Sequence, residues 1–234
     1  MLLLNPSKII LLEQNEFFLY ELKEKLSNHK RIKKCQFILG SVNDYDLIKK
    51  IIKENGINII FHTAAYKHVP LVEENIISAL NNNFFSTKNI IDCAISNNVK
   101  NFVFVSTDKA VDPENIMGAT KRLGEIYIQI IAQKYLINYC AVRFGNVLSS
   151  SGSVIPLFTK QIEEGGPITI TDKEMTRYFM TLEEASELII QSSAINSNKG
   201  IFILDMGQPV KIFDIAKRLI RLSGRRYGND EKDD

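Results

Sequence analysis

Short, continuously apolar runs alternate along this chain with segments whose apolar residues recur every three or four positions. The runs fall at residues 8–12, 36–39, 57–61, 102–106, 138–143 and 201–204. They lack the strict apolar/polar alternation of a half-exposed strand, which suits strands covered on both faces of a parallel sheet. Segments 16–26, 45–54, 76–96, 118–135 and 182–193 carry the helical period,. This alternation predicts a doubly wound α/β fold whose ligands gather at the carboxyl ends of the strands. Two stretches break the rhythm. Residues 146–177 run from Ser149-Ser150-Ser151-Gly152-Ser153 through a helix-like stretch to Gly165-Gly166-Pro167, and 207–234 carry one helix, 212–223, before ending in charged residues.

A doubly wound fold that holds a dinucleotide opens with a strand, a Gly-x-Gly-x-x-Gly turn, a helix and a second strand closed by an acid. Glu13 follows Ile9-Ile10-Leu11-Leu12 and fits that acid. No glycine precedes Gly40, and residues 1–5 read as the last turn of a helix. The expectation is therefore a Rossmann-like parallel sheet without its first strand and glycine-rich turn.

Composition narrows the function classes. The 234 residues, 45% hydrophobic and 24% charged, suit one large domain or one domain with a small lobe. A net charge of +2 with Lys and Glu interleaved offers no basic stripe for nucleic acid, and the patches at 30–34 and Arg225-Arg226 read as solvated surface. No apolar stretch reaches the roughly 18 residues of a membrane span, and residues 1–4 lack the features of a signal peptide. Cys35, Cys93 and Cys140 make no metal spacing and leave an odd thiol, as expected of reduced cysteines in a cytoplasmic protein. His62 and His68, with Lys67 between them, make a poor metal site, so no metal is expected.

The chemistry-bearing residues follow the run at 102–106. Ser106-Thr107-Asp108-Lys109-Ala110 lies at a strand's carboxyl end, and Met117-Gly118-Ala119-Thr120-Lys121 opens the next helix. A hydroxyl, a carboxylate and two lysines converge there. They suit a general acid, a general base and a clamp for a cofactor ribose. They equally suit a strand-end turn in which Asp108 caps backbone and the lysines are solvated.

These strings do not stand alone. They recur together with His62-Thr63-Ala64-Ala65-Tyr66-Lys67-His68-Val69-Pro70, Arg143-Phe144-Gly145-Asn146-Val147-Leu148, the stretch 150–158, Glu174-Met175-Thr176-Arg177-Tyr178-Phe179-Met180 and Leu204-Asp205-Met206-Gly207. Over roughly residues 8–224 the chain closely resembles the UDP-N-acetylglucosamine 4,6-dehydratases of polysaccharide biosynthesis, in the extended short-chain dehydrogenase/reductase superfamily.

The resemblance implies an NAD(P)-binding Rossmann-like domain over 1–145 and 178–206, and a small substrate-binding lobe over 146–177 and 207–234. It implies conversion of UDP-N-acetylglucosamine, or a similar UDP-sugar, to a UDP-4-keto-6-deoxy-N-acetylhexosamine for a surface glycan. Lys109 resembles the base at C5, Asp108 the acid at the C6 hydroxyl, and Thr107 the residue holding the C4 oxygen. Lys121 resembles the lysine of the nicotinamide ribose. Cofactor contacts are implied at Glu13, Ala64, Ala65, Tyr66, Asn83 and Ser106, and Glu13 favours NAD, with NADP possible. Substrate contacts are implied at Lys67, Asn146, Ser153 and Arg177.

Several of these positions have alternatives. Asn83, in Asn82-Asn83-Phe84-Phe85-Ser86-Thr87, is as good a structural bridge as a ligand. Arg177 suits a diphosphate through its planar fork or an ion pair with Glu174 or Asp172. Lys67 is a sugar contact or an exposed loop lysine. Met117 stands where most of the superfamily has the tyrosine of Tyr-x-x-x-Lys, and similar dehydratases share the Met. The resemblance leaves a homo-oligomer open, and full-length relatives often carry amino-terminal membrane helices. Competing readings are a C5-inverting dehydratase, a 4-epimerase, and a silent binding or assembly module, since the pyrophosphate turn supplies the N–H groups that hold the cofactor.

Overall fold

The computed structural model describes residues 1–135, 137–148, 154–195 and 200–227. The first half contains β1 (Ile9–Glu13), α1 (Glu16–Leu26), β2 (Cys35–Leu39), α2 (Tyr45–Asn55), β3 (Ile59–His62), α3 (Val69–Glu74), α4 (Ile76–Leu80), α5 (Ser86–Ser96) and β4 (Asn101–Val105). Then come α6 (Ile116–Tyr135), β5 (Asn138–Arg143), β6 (Asn146–Val147), α7 (Val154–Glu163), β7 (Thr176–Arg177) and β8 (Phe179–Met180). The chain closes with α8 (Leu182–Ser192), β9 (Ile201–Ile203), β10 (Val210–Lys211) and α9 (Ile212–Leu222).

Local chemistry sets the helix ends. The Asn15 and Asp44 side chains accept from the backbone N–H of Phe18 and Leu47, capping α1 and α2,. Gly56, at φ 56°, ends α2 in the left-handed conformation that glycine adopts without strain,. Thr181 and Glu184 form a reciprocal capping box on α8,.

Strands β3, β4, β5 and β9 form one parallel sheet in the order β3-β4-β5-β9. The period-two geometry of a strand sends alternate side chains to opposite faces. Phe102, Phe104, Tyr139 and Ala141 pack with Ile91 and Ala94 of α5 and Ile128 and Ala132 of α6. Val103, Cys140 and Val142 face the other way, onto Ala185, Leu188 and Ile189 of α8. Helices thus cover both faces, and β4 and β5 are buried as their apolar character demands.

The remaining strands correct that expectation. β1 and β2 pair in parallel with each other but share no ladder with β3. Every residue of β1 is only partly buried, although its sequence Ile-Ile-Leu-Leu is as apolar as that of β5. The reason is a missing neighbour: among the described residues no strand lies between β1 and β3 to complete the sheet.

Segment 76–96 is helical throughout, as expected, but not uniformly α-helical. It divides into α4, a π-helical turn at Asn81–Phe85, and α5. The wider turn brings Asn82, Asn83, Ser86 and Thr87 all inside,. Helix α3, which the apolar pattern alone does not predict, starts with Pro70 in its first turn, where the missing N–H has no intrahelical partner to lose,.

The basic patches are also more than solvated surface. Leu2–Leu4 form a helical turn ended by Asn5 at φ 55°. Arg31 donates to the Leu2 and Leu3 carbonyls, and Lys34 to Asn5 Oδ1 and the Pro6 carbonyl, as cations do at a helix C-terminus. Arg225 donates to the Ile162 carbonyl. Phe158, Ile170 and Met175 of the first irregular stretch and Ile212 and Ala216 of the second share an apolar cluster that also takes in Phe179. All three cysteines are free, Cys93 and Cys140 buried. No helix among the described residues is long and apolar enough to cross a membrane.

The core assignment makes a direct prediction. Phe102 is fully buried, so Phe102→Ala is expected to lower unfolding free energy by about 3–5 kcal/mol. Exposed Phe17 changed to Ala is expected to stay within about 0.5 kcal/mol. Urea denaturation of both variants checks the contrast.

Candidate active site

The β4–β5 ladder does not stop at the strand ends. Ser106 N–H donates to the Val142 carbonyl and Asp108 N–H to the Phe144 carbonyl. This carries residues 106–108 out along β5 and turns them into a short 3-10 helix at Asp108–Ala110. Its cap is Thr107, whose side-chain oxygen accepts from Lys109 N–H. Asp108 is therefore free for other partners. Its Oδ1 accepts from the Thr107 hydroxyl at 2.9 Å and from Lys109 Nζ at 3.0 Å. Hydroxyl, carboxylate and ammonium form one hydrogen-bonded unit, with the Asp108 and Lys109 side chains about a third exposed.

Helix α6 packs its first turn on this unit. Asn115 accepts from Gly118 N–H to cap it, and a Cβ on Gly118 would lie 2.2 Å from the Lys109 carbonyl oxygen. Only glycine permits that approach. One turn on, Lys121 is 5% exposed and its Nζ lies 4.2 Å from the centre of the Phe104 ring, a cation–π contact. It is the buried side-chain nitrogen with no hydrogen-bond partner among the described residues.

Burial pulls the Lys121 pKa down to about 7, with nearby Glu125 opposing the drop. His62 stacks on the same Phe104 ring and bonds Thr87 Oγ1 at 2.9 Å. Burial, helped by the Lys121 charge, pushes His62 down to about 3, so it stays neutral. No group of acids, cysteines and histidines suited to a metal occurs among the described residues.

Behind the turn lies a charged network. Glu125 is fully buried. Its Oε1 accepts from Ser106 Oγ at 2.6 Å and Arg143 Nε at 2.7 Å. Its Oε2 accepts from Arg143 Nη2 at 2.6 Å and Arg122 Nη1 at 3.1 Å. Arg143 Nη2 also reaches the Ala110 carbonyl at 3.3 Å. Sequence reading passed over Glu125 and Arg143. The available signal was a charge ending the apolar run Tyr139-Cys140-Ala141-Val142 and an acid four residues beyond Lys121.

The other expected contacts divide clearly. Ser106 turns its hydroxyl inward to Glu125. Asn83 is fully buried: its Oδ1 accepts from Tyr66 N–H, and its Nδ2 donates to the Tyr66 carbonyl and Thr120 Oγ1. Its side chain is a bridge that pins the loop carrying Ala64, Ala65 and Tyr66 to α6. Lys67 is exposed, and neighbouring protein still lowers its pKa by partial desolvation. Glu13 ends β1 and accepts from Asn15 N–H at 2.8 Å.

Asn146 and Arg177 line one cavity of about 270 Å³ with Val154, Phe158, Asp172 and Met175. Among the described residues Arg177 makes no ion pair: Glu174 pairs with Lys211 instead, at 2.6 Å. Ser153 lies outside the described residues. Met117 is 5% exposed and packs with Val72 and Ala79. It is a core residue between α3, α4 and α6.

The orphan amine of Lys121 tests the fit of a nicotinamide dinucleotide. A buried ammonium without a partner is costly unless a ligand supplies acceptors, and ribose hydroxyls at the strand ends supply them. Glu13 offers acceptors to the second ribose. The pyrophosphate has no glycine-rich turn among these residues, so the fit holds at the two ribose ends.

A parallel sheet with an acid–base turn at its carboxyl edge and a buried lysine beside it is the arrangement of an extended short-chain dehydrogenase/reductase. Within that class, the chain belongs to the polysaccharide biosynthesis protein family, whose sequence profile matches residues 1–233. It is 48% identical over 225 residues to the capsular polysaccharide biosynthesis protein CapD of Staphylococcus aureus, covering 95% of this chain and 37% of that protein. It thus spans little more than a third of that relative's length. It is 36% identical to the UDP-glucose 4-epimerase of Rickettsia rickettsii, across 83% of this chain and 60% of the relative. Among solved structures, the dTDP-glucose 4,6-dehydratase DesIV of Streptomyces venezuelae, a double mutant with NAD bound, superposes with a TM-score of 0.82. It is 17% identical and covers 97% of this chain and 77% of that one.

A pH-dependent outcome follows from Lys121. Its lowered pKa means that the unfolded chain binds one more proton than the folded chain between about pH 7 and the usual lysine value. Its contribution to stability therefore rises with pH across that window and is least favourable below it. Lys121→Met is expected to raise Tm over wild type at pH 6, with the difference shrinking toward pH 10. Differential scanning fluorimetry across that range reads it directly.

Proposed function

We propose that this chain carries the catalytic machinery of an NAD-dependent UDP-N-acetylglucosamine 4,6-dehydratase acting in surface polysaccharide biosynthesis. The observation that carries the reading is the Thr107–Asp108–Lys109 unit beside the partnerless amine of Lys121. The family supports a nucleotide-sugar substrate, and the Asn146–Arg177 cavity supports a place for its diphosphate, which the forked Arg177 guanidinium suits.

NAD, when bound, supplies the hydride acceptor for C4 of the sugar and the hydride donor for C6. The protein supplies the proton chemistry. The Thr107 hydroxyl holds the C4 oxygen. Asp108, bonded to the Thr107 hydroxyl, takes the C4 hydroxyl proton as hydride leaves C4. Lys109, as the free amine, takes the proton from C5, which the neighbouring C4 ketone makes acidic. Asp108 passes its proton to the C6 hydroxyl, which leaves as water, and Lys109 returns its proton to C5 as hydride reaches C6. The two groups are joined by a 3.0 Å hydrogen bond, which sets acid and base side by side. Lys121 holds the cofactor ribose, and Glu13 holds the adenosine ribose and favours NAD over NADP.

The 4-epimerase relative raises a second reading, oxidation and re-reduction at C4. Met117 speaks against it as a mark of subfamily: similar dehydratases share the Met, and 4-epimerases usually carry Tyr at this position.

NMR of the product from UDP-N-acetylglucosamine, with NAD in large excess, tests the assignment. A 4-keto-6-deoxy sugar of unchanged C5 configuration is expected, and a galacto epimer would contradict it. Lys109→Met is expected to lower turnover by about 10²–10⁴-fold. A fluorescence titration of residues 1–234 with NAD is expected to show no micromolar affinity, because these residues hold the riboses and lack the pyrophosphate turn.

A further inference from the structure

We infer that the Glu125–Arg143 pair is a clamp that positions the Thr107–Lys109 turn for reaction. The network grips the turn on both sides. Ser106, immediately before Thr107, is held through its hydroxyl by Glu125, and Ala110, immediately after Lys109, through its carbonyl by Arg143. The residues proposed to handle protons lie between these two anchors.

Stability does not account for such a pair. Two charges taken out of water forfeit hydration that their attraction only balances, and apolar side chains of similar volume serve a fold as well or better. The surroundings favour that replacement, since α6 and β5 already pack through Ile128, Ala132, Tyr139 and Ala141. What an apolar pair cannot do is fix orientation. The forked Arg143 guanidinium, with two bonds to the Glu125 carboxylate, fixes α6 against β5, and the Ser106 hydroxyl bond ties the same carboxylate to the turn,. Lys121 stands one turn before Glu125 on the same helix. The clamp therefore sets the register between that lysine and the Asp108–Lys109 pair.

The inference rests on the dehydratase reading only for the step that is slowed, so its test has one arm that needs no turnover. Arg143→Lys keeps the charge that neutralises Glu125 and loses the fork and the reach to Ala110. Ser106→Ala loosens the other side and serves if Arg143→Lys fails to fold. Ile91→Val, in the core away from the turn, controls for general destabilisation. In the first arm, acetylation of Lys109, read by mass spectrometry against exposed Lys53, is expected to quicken severalfold in the clamp variants and not in Ile91→Val. In the second arm, kcat with UDP-N-acetylglucosamine and excess NAD is expected to fall about a hundredfold in Arg143→Lys, at the scale of a misplacement of about 1 Å. KM should hold within about twofold, because the clamp touches no substrate. Unchanged Lys109 labelling in folded clamp variants overturns the inference, as does a change equal to that in Ile91→Val. Changed labelling in a protein whose wild type makes no 4-keto product supports the clamp and contradicts the dehydratase reading instead.

Discussion

Strand β4 pairs with β5 from Asn101 opposite Asn138 to Val105 opposite Val142, and both strands are packed between α5 and α6 on one face and α8 on the other. The rest of the site depends on this ladder, because it continues past the strands. Ser106 and Asp108 hang from the Val142 and Phe144 carbonyls, so the reactive turn inherits the rigidity of the core. The same ladder places Arg143 beside Ser106. Phe104, within the core, serves the site from below as the platform for both Lys121 and His62.

Much of this was legible in the chain itself. Runs such as 138–143 mark strands covered on both faces, and the end of 102–106 marks where chemistry gathers. Where apolar pattern and turn chemistry agree, as at α1, the prediction and the observed bounds coincide. Where a single polar residue redirects the backbone, pattern is silent. Nothing periodic announces the π-helical turn that carries Asn82 and Asn83 inward, and Asn83, by pattern equally a bridge or a ligand, spends its amide on Tyr66 and Thr120. Ser106 is open for the same reason: a hydroxyl at a strand end faces either a ligand or the core, and its turn inward follows from Glu125, nineteen residues on.

The half of the site toward the adenosine is governed by an absence. β1 is apolar enough to be central and is only partly buried, and β1 and β3 are not joined by hydrogen bonds. The acid at Glu13 ends a strand of one ladder, and the amine at Lys121 stands on α6, which packs on the other. Each offers what a ribose needs, and neither offers what a pyrophosphate needs. Proton chemistry and cofactor retention are thus carried by different parts of the fold, the first built on the β4–β5 ladder and the second requiring contacts these residues do not make.

The central claim is that hydrogen removed from C4 of the sugar ends on C6, while Lys109 and Asp108 remove water between C5 and C6. UDP-N-acetylglucosamine carrying deuterium at C4, incubated with the protein and excess NAD, tests it in one spectrum. The account predicts deuterium in the new C6 methyl group of a 4-keto product. Deuterium returned to C4, on either face of the ring, would contradict it.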